Sequence, residues 1–315
     1  QEEPTKTEKK HENINYFDSY IKAFMQEKNY SATAIILNEQ SLEIKTFTPY
    51  NMDLFDKINP KLRKEIENIL NNNNTYNVAS SLPSETIGYI LVSNLAGLGY
   101  IATTIEEPNI KKMISTGRLM IASVTGMDLE KDLLPILSGH TTVAATEFKK
   151  ETEPVLLISF RPETIEVFNK LLSMAEKLNC PVKVENKKIK GEEVKILTEN
   201  SMPFPIAYAK INDSIAFGKF DVVKNLINIA RNPNKLLVQS SNFKNFDPLM
   251  NESTNLSVYI NFDKFADVLE NHSVANIPDN ARDLLDAFYL SFSNEKDNIF
   301  VMSMLVKFKQ LKSNK

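Results

Sequence analysis

Three histidines are the residues of this chain that could supply acid–base or metal chemistry. His11 lies in a charged N-terminal segment and His272 follows a predicted helix end, so we expect both to be solvated surface residues. His140 lies between Gly139, which ends a predicted helix, and a predicted strand, where a loop residue can reach a site. A hydrolase using His140 is therefore one hypothesis, but no partner is visible in the sequence, and we assign no catalytic residue.

Neither a nucleotide-binding nor a cysteine-based motif is complete. Gly97-Leu98-Gly99 is half of a dinucleotide fingerprint, yet the third glycine is missing and the bulky Tyr100 stands where a backbone would approach phosphate. Cys180 is the single cysteine, which excludes an intrachain disulfide and a cysteine-built zinc cluster and favours a buried, inert thiol. We therefore predict no cofactor and no metal site.

Acidic pairs have simpler interpretations than catalysis. Asp128 and Glu130 fall where a helix begins, and Glu192 and Glu193 fall in a predicted solvated turn. The sequence accordingly indicates that this protein is not an enzyme.

Composition indicates an ordinary globular protein. The 315 residues are 42% hydrophobic and 24% charged, and 37 basic against 40 acidic residues give a net charge of -3. The composition therefore shows no excess of basic residues of the kind that binds nucleic acid or an anionic membrane surface. No nucleic-acid partner is expected.

The segment from Met127 to Arg161 carries the clearest structural pattern. An acidic helix ends at Ser138-Gly139, and strands follow at Thr142 to Phe148 and Val155 to Phe160. From Thr164 to Leu178 the spacing of the apolar residues again predicts a helix. Elsewhere strand pairs again alternate with helices. The predicted elements include strands Val182 to Val184 and Val194 to Thr198 about a charged turn, a hairpin at Asn212-Asp213, a helix Val222 to Ala230 capped by Asp221, and a last strand Ile299 to Phe308. We predict an α+β fold of antiparallel sheet units with helices packed on one face.

The same segment resembles a known family. The run DLLPILSG before a strand, and EPVLLISF before a helix, are similar to a bacterial family catalogued as domain of unknown function 3352. Further pieces follow in that family's order from Leu82 to the C-terminus, and the chain departs from the pattern at His140, where Glu is expected, and at Ile136, where an aromatic is usual. The resemblance implies an envelope-associated protein and carries over no catalytic residue.

We divide the chain into three parts: residues 1–13 as a flexible tail, 14–75 as a helix-hairpin segment with a linker helix, and 76–315 as the main α+β domain. The hairpins Ala32 to Thr48 and Phe288 to Phe308 follow helices in the same order, which suggests a weak internal repeat or a chance similarity. A repeat would make residues 14–50 the end of a preceding copy. The uncharged run Ile87 to Ile105 is interpreted as a buried strand turning into a buried helix, in preference to a membrane span.

One side of the last strand is rich in Met and Phe. Phe300, Met302, Met304 and Phe308 alternate there, and Phe288 and Phe292 belong to its partner strand. This side is either a core face or the wall of an apolar cavity for a lipid or pigment.

We therefore predict a non-enzymatic binding, scaffold or assembly module with a protein partner, and as the alternative a carrier of an apolar ligand. Its expected place is the cell envelope, on the periplasmic or extracellular side. Relatives that carry an N-terminal anchor or export signal imply membrane association through such a segment before Gln1.

Overall fold

One antiparallel sheet organises the computed structural model, which describes residues 30–50, 52–53, 60–71, 77–105, 107–177, 182–244, 246, 254–271, 277–295 and 299–309. Within these residues the sheet has twelve strands in the order β1-β2-β12-β11-β10-β3-β4-β5-β9-β8-β7-β6. The strands are β1 Ala32–Asn38, β2 Ser41–Pro49, β3 Thr86–Ser93, β4 His140–Phe148, β5 Glu151–Ser159, β6 Lys183–Ile189, β7 Glu192–Thr198, β8 Ile206–Ile211, β9 Ser214–Lys219, β10 Leu256–Asn261, β11 Leu285–Glu295 and β12 Ile299–Phe308.

Helices fill the connections between strand pairs, which confirms the predicted α+β class. The α-helices of the described residues are α1 Pro60–Asn71, α2 Leu95–Thr104, α3 Pro108–Thr125, α4 Pro162–Lys177, α5 Phe220–Ala230, α6 Ser241–Lys244, α7 Phe262–Asn271 and α8 Asp279–Leu284. Short 3-10 turns occur at Val78–Ser80, Leu134–Leu137, Pro233–Lys235 and Leu237–Gln239. None of the helices described combines the length and hydropathy needed to cross a bilayer.

The main core lies on one side of the sheet, which we call the core face. Side chains alternate along a strand, and in β3 the buried Tyr89 and Leu91 flank the exposed Ile90. Leu157 of β5 and Tyr259 of β10 are also buried on the core face. Helix α5 covers it with Val223, Leu226 and other apolar residues of the same cluster.

Helices pack on both faces of the sheet, where the sequence analysis expected them on one. Tyr208 and Phe217 point away from the core face, because Ala207, Ala209 and Ala216, their neighbours in β8 and β9, belong to the core. The ring of Phe168 in α4 lies 4.7 Å from that of Phe217 and 5.7 Å from that of Tyr208, between ring centres. Helix α4 begins three residues after the end of β5, and α5 follows β9 directly.

One register row crosses the face opposite the core, and we call it the central row. Directly opposed residues of antiparallel strands share a face, so the pairings place its members side by side. Across neighbouring strands of about 4.8 Å spacing the row extends about 50 Å. Its members from β1 to β6 are Ile35, Ile44, Met304, Leu290, Val258, Ile90, Val143, Leu156, Phe217, Tyr208, Lys195 and Asn186.

The run Ile87 to Ile105 is a strand followed by a helix, as predicted. Asn94 separates β3 from α2 with a left-handed backbone (φ 56°, ψ 54°), and its side-chain oxygen accepts from the N–H of Gly97. Asn tolerates this conformation and caps a helix with the same side chain. Asn94, which has the one side-chain amide in this run, therefore marks the point where the chain turns from β3 into α2.

The N-terminal hairpin belongs to the same sheet as the rest of the chain. Strand β2 pairs with β12 from Ser41 to Pro49, and the Tyr50 hydroxyl donates to the Asn294 side chain over 2.8 Å. Strand β1 forms one edge of the sheet with Ile35, Ile36 and Leu37 exposed, and β6 forms the other. The proposed repeat itself stays a prediction.

Two local predictions were wrong. The acidic segment after Asp128 is a π-helical turn, Leu129–Leu133, followed by the 3-10 turn at Leu134, because Pro135 has no N–H to donate to an α-helix. Asp221 does not cap α5, which starts one residue earlier at Phe220.

Candidate functional site

Serine hydroxyls surround the predicted candidate His140 at one end of three adjacent strands. Its Nδ1 lies 2.7 Å from Oγ of Ser159 and its Nε2 lies 2.9 Å from Oγ of Ser214. The strand register places His140, Ser159 and Ser214 in one row across β4, β5 and β9. The structure thus joins residues that are far apart in the chain.

The imidazole contacts a hydroxyl on each side. Oγ of Ser159 accepts from the backbone N–H of His140 over 2.7 Å and also lies 3.3 Å from the carbonyl oxygen of His140, to which its hydroxyl can donate. In a neutral ring one nitrogen donates and the other accepts, and the hydroxyls of Ser159 and Ser214 can serve either tautomer. Burial, with a smaller effect of the Arg161 charge, lowers the pKa of His140 from 6.5 to about 4. The ring is neutral at pH 7.

A serine next to a histidine base is also the arrangement of a hydrolytic nucleophile. Here His140 is 4% exposed, Ser159 is 9% exposed and Ser214 is fully buried. Both ring nitrogens already contact hydroxyls inside the protein. In this conformation the three residues connect three strand ends and present no hydroxyl to a substrate.

Gly139 permits this close packing. A Cβ at Gly139 would lie 2.2 Å from Oγ of Ser159. Beside it Arg161 donates to the hydroxyl of Ser138 over 2.5 Å. The helix-ending Ser138-Gly139 pair of the sequence is therefore also what allows Ser159 to reach His140.

Gly97 and Gly99 serve helix packing. A Cβ at Gly97 would lie 2.3 Å from the Ile69 side chain of α1, and one at Gly99 would lie 2.5 Å from the Leu134 side chain. Both glycines lie in α2, where they let neighbouring elements approach. Close packing against Ile69 and Leu134 therefore accounts for both glycines.

Acidic residues singled out in the sequence have structural partners. Asp128 accepts from the N–H groups of Glu130 and Lys131, and Glu130 pairs with Arg118. Glu192 pairs with Arg231 over 3.1 Å. Among the residues that the structure describes, no group of three or more His, Cys, Asp or Glu side chains could hold a metal ion. His11, Cys180 and His272 lie outside the described residues.

The centre of the sheet exposes apolar side chains, a feature that the sequence analysis did not place. Ile90 and Val143 are directly opposed on β3 and β4, the sixth and seventh strands in the sheet order, and are 51% and 55% exposed. We call them, with the neighbouring row members Leu156 and Val258, the apolar patch. The solvated face of an antiparallel sheet normally carries polar side chains, so exposed apolar residues at its centre are a distinctive feature.

A cleft of about 510 Å³ continues the apolar patch. Val143 and Leu156 line it together with Phe204, Ile206 and Phe217. Glu153 and Lys219 also line it; their charged groups lie 2.5 Å apart, and the Glu153 side chain is 4% exposed. The volume is within the usual range for small-molecule sites, with apolar walls and one ion pair.

The predicted Met and Phe residues share the face of the apolar patch. Phe292 opposes Met302 and Leu290 opposes Met304, and β10 connects them to β3. Their side chains are half-buried, and Phe300 packs with Tyr50, Ile66 and Ile101. The described cleft lies at the other end of this face.

These features define an α+β protein with one wide antiparallel sheet, a sealed histidine cluster and an uncovered apolar surface. The chain belongs to the family described as "Protein of unknown function (DUF3352)", whose model matches residues 13–291. This confirms the resemblance seen in the sequence. None of the curated proteins matches the chain.

Two crystal forms of a protein named TP0453 are similar in part. Form IV is 14% identical with a TM-score of 0.36, covering 72% of this chain and 79% of TP0453. Form I is 13% identical with a TM-score of 0.35, covering 76% and 81%. A likeness this distant carries no argument about fold or function.

Proposed function

We propose that this chain is a non-enzymatic binding module of the bacterial cell envelope that takes a protein partner on the apolar patch. The observation that carries the proposal is the exposure of Ile90 and Val143 at the centre of a twelve-stranded sheet. Contiguous exposed apolar surface at such a place is typical of docking sites.

The central row continues this apolar surface across several neighbouring strands. Between Ile44 and Leu156 its members are apolar and only half-buried or exposed. A standard interface needs about 800 Å² on each partner. These seven neighbouring strands supply a face about 30 Å across, which is wide enough for a helix or a strand pair of another protein.

The histidine cluster supports a role without catalysis. The imidazole of His140 has both nitrogens occupied by the hydroxyls of Ser159 and Ser214, all three residues being buried. A catalytic base must reach the proton that it removes. The cluster therefore favours a structural role for the strongest chemical candidate of the sequence.

The cleft beside the patch favours a second candidate function, the carrier of an apolar ligand such as a lipid or pigment. Val143 belongs to both the patch and the cleft, and Phe204, Ile206 and Phe217 provide aromatic and aliphatic walls. The ion pair of Lys219 and Glu153 could orient a polar end of the ligand.

The envelope location, with membrane association through an N-terminal anchor, rests on the family resemblance alone. It predicts that the natural protein fractionates with membranes and is accessible from the periplasmic or extracellular side. Protease treatment of intact spheroplasts checks this, and full protection of the chain would contradict it.

Photo-crosslinking separates the two binding functions. A benzoylphenylalanine at position 143, in the natural protein in its own cells, should give a discrete protein adduct. The same probe at Lys188, exposed on the edge strand β6, is the control. Equal adducts at both positions, or none at 143, would contradict a partner site. Native mass spectrometry of the purified protein tests the carrier, which should retain a small apolar mass.

A catalytic role is tested separately with a fluorophosphonate probe. The proposal expects no covalent labelling of Ser159 or Ser214. Labelling of either serine that disappears in His140→Gln would show a working nucleophile and overturn the non-enzymatic assignment.

A further inference from the structure

Helix α3 is the least buried long element of the structure. It runs for 18 residues from Pro108 to Thr125, and none of its residues is buried. Met113, Leu119, Met120 and Val124 are each more than half exposed. Together they are four of the most exposed large apolar side chains among the described residues, concentrated on one helix.

The exposed apolar residues of α3 form a stripe. Met113, Gly117, Met120 and Val124 follow at intervals of four, three and four residues, which places them on one side of a helix. Ile114 and Ile121, next to the stripe, are half-buried and face the protein. A Cβ at Gly117 would have no atom within 4 Å, so the middle of the stripe is open.

Helix α3 is cationic in an acidic protein. Its residues include Lys111, Lys112 and Arg118 and no acidic residue. The other residues of the chain therefore carry 34 basic and 40 acidic groups, a balance of -6 where the whole chain has -3. The positive charge of the helix contrasts with its surroundings.

The cations are not equivalent. Arg118 pairs with Glu130, whereas Lys111 and Lys112 lie exposed in the first turns. The acids Asp128 and Asp132 follow the C-terminal end of the helix, and Glu107 caps its N-terminus by accepting from Ile110. Within the part of the chain that the structure describes, the positive charge of α3 outside ion pairs is thus concentrated near the N-terminal half of the stripe.

We propose that α3 is a membrane-contact helix that lies on an anionic lipid surface, with the Met113–Val124 stripe in the headgroup boundary and Lys111 and Lys112 against the lipid phosphates. An apolar stripe flanked by lysines is the composition of helices that lie in the interface of a bilayer. Methionine adapts to an irregular environment, and lysine stems extend along apolar surface while the ammonium stays in contact with the headgroups. This inference is independent of the partner site on the sheet.

Vesicle flotation of the 315-residue chain tests the proposal. Vesicles of phosphatidylcholine and phosphatidylglycerol (about 7:3) are compared with pure phosphatidylcholine, at low salt. The chain should float with the anionic vesicles and only weakly with the neutral ones. Absence of binding to the anionic vesicles, or equal binding to both, overturns the proposal.

Two double variants assign the binding to α3. Lys111→Gln with Lys112→Gln should weaken partitioning about 30-fold, because each lysine near an anionic surface contributes about fivefold. Met113→Gln with Met120→Gln should weaken it on the order of tenfold through lost apolar contact. Matched controls are Lys183→Gln with Lys188→Gln on β6, and Ile35→Gln with Leu37→Gln on β1, all exposed. Equal losses in variants and controls would place the contact elsewhere.

A fluorescence probe gives a readout that does not depend on destabilised variants. An environment-sensitive dye on Gly117→Cys, in a Cys180→Ser background, should shift to shorter wavelength on adding the anionic vesicles. The same dye on Lys188→Cys should not shift. A shift at position 188 alone, or at neither position, would contradict the proposal even if the protein floats.

Discussion

Nζ of Lys219 lies 2.5 Å from Oε1 of Glu153, and the carboxylate that it pairs with is almost completely buried, with 4% of its side chain exposed. Removing one partner of a buried pair leaves an unsolvated charge. Lys219→Met should therefore lower the free energy of unfolding by about 3 kcal/mol at neutral pH. Urea unfolding followed by circular dichroism measures the change.

An exposed ion pair nearby is the matched control for that prediction. Lys149 and Asp221 are 69% and 56% exposed and lie 3.2 Å apart. Lys149→Met should change the unfolding free energy by less than about 1 kcal/mol, because water already solvates both charges. Similar effects of the two substitutions would show that Glu153 is not held by Lys219 in solution.

The stability of the fold should depend on pH through His140. Burial, and to a lesser degree the charge of Arg161, lowers its pKa to about 4, below the 6.5 expected in the unfolded chain. The unfolded chain therefore binds more protons between pH 4 and 6.5. The stability contributed by neutral His140 is complete above pH 6.5 and is lost as the pH falls through this window, by about 3 kcal/mol.

Comparing the natural chain with His140→Gln isolates this contribution, since other titrating groups contribute to both proteins. The difference in unfolding free energy between them should shrink steadily from pH 7 to pH 4. A difference independent of pH would mean that the imidazole is protonated or solvated in the folded state.

Two glycine substitutions should have opposite effects. Gly117→Ala in α3 should raise the unfolding free energy by about 0.5–1 kcal/mol, because alanine favours a helix and its Cβ meets no atom within 4 Å. Gly88→Ala should lower it, because the Cβ would lie 2.7 Å from the carbonyl oxygen of Tyr259 in the neighbouring strand β10. Thermal unfolding distinguishes them by the sign of the change in Tm.

The two faces of the sheet should respond differently to truncation. Leu157 is fully buried on the core face, so Leu157→Ala should lower the unfolding free energy by about 2–5 kcal/mol. Val143 on the apolar patch is 55% exposed, and Val143→Thr should change it by less than about 0.5 kcal/mol. A large loss in Val143→Thr would show that the patch is covered in the isolated protein.

Local elements were predictable because their signals lie within a few residues. Strand β12 was predicted with its observed bounds from the alternation of its apolar side chains. The hairpin at Asn212-Asp213 was predicted from its turn residues, and Asn212 has the expected positive φ of 51°. Strand β6 was predicted too short, because its lysines read as a turn; the actual turn is Lys190-Gly191, where both φ angles are positive.

The candidate site was not predictable in the same way. His140 was selected for its position, but Ser214 contacts it from 74 residues away through the pairing of β5 with β9. The same limit applies to Lys219 and Glu153, which are 66 residues apart. Such contacts depend on the order of strands in the whole sheet, which hydrophobic periodicity does not encode.

The two outer strands of the sheet differ in how readily they can pair with a strand of another molecule. Strand β6, with the sequence KVENKKI, presents lysines that repel an added strand, whereas β1 presents Ile35, Ile36 and Leu37 and, within the described residues, pairs with β2 alone. Addition of a strand is therefore disfavoured at the β6 edge and permitted at the β1 edge. If the sheets of two molecules join edge to edge, they join β1 to β1, and the assembly stops at two because each molecule then presents only β6.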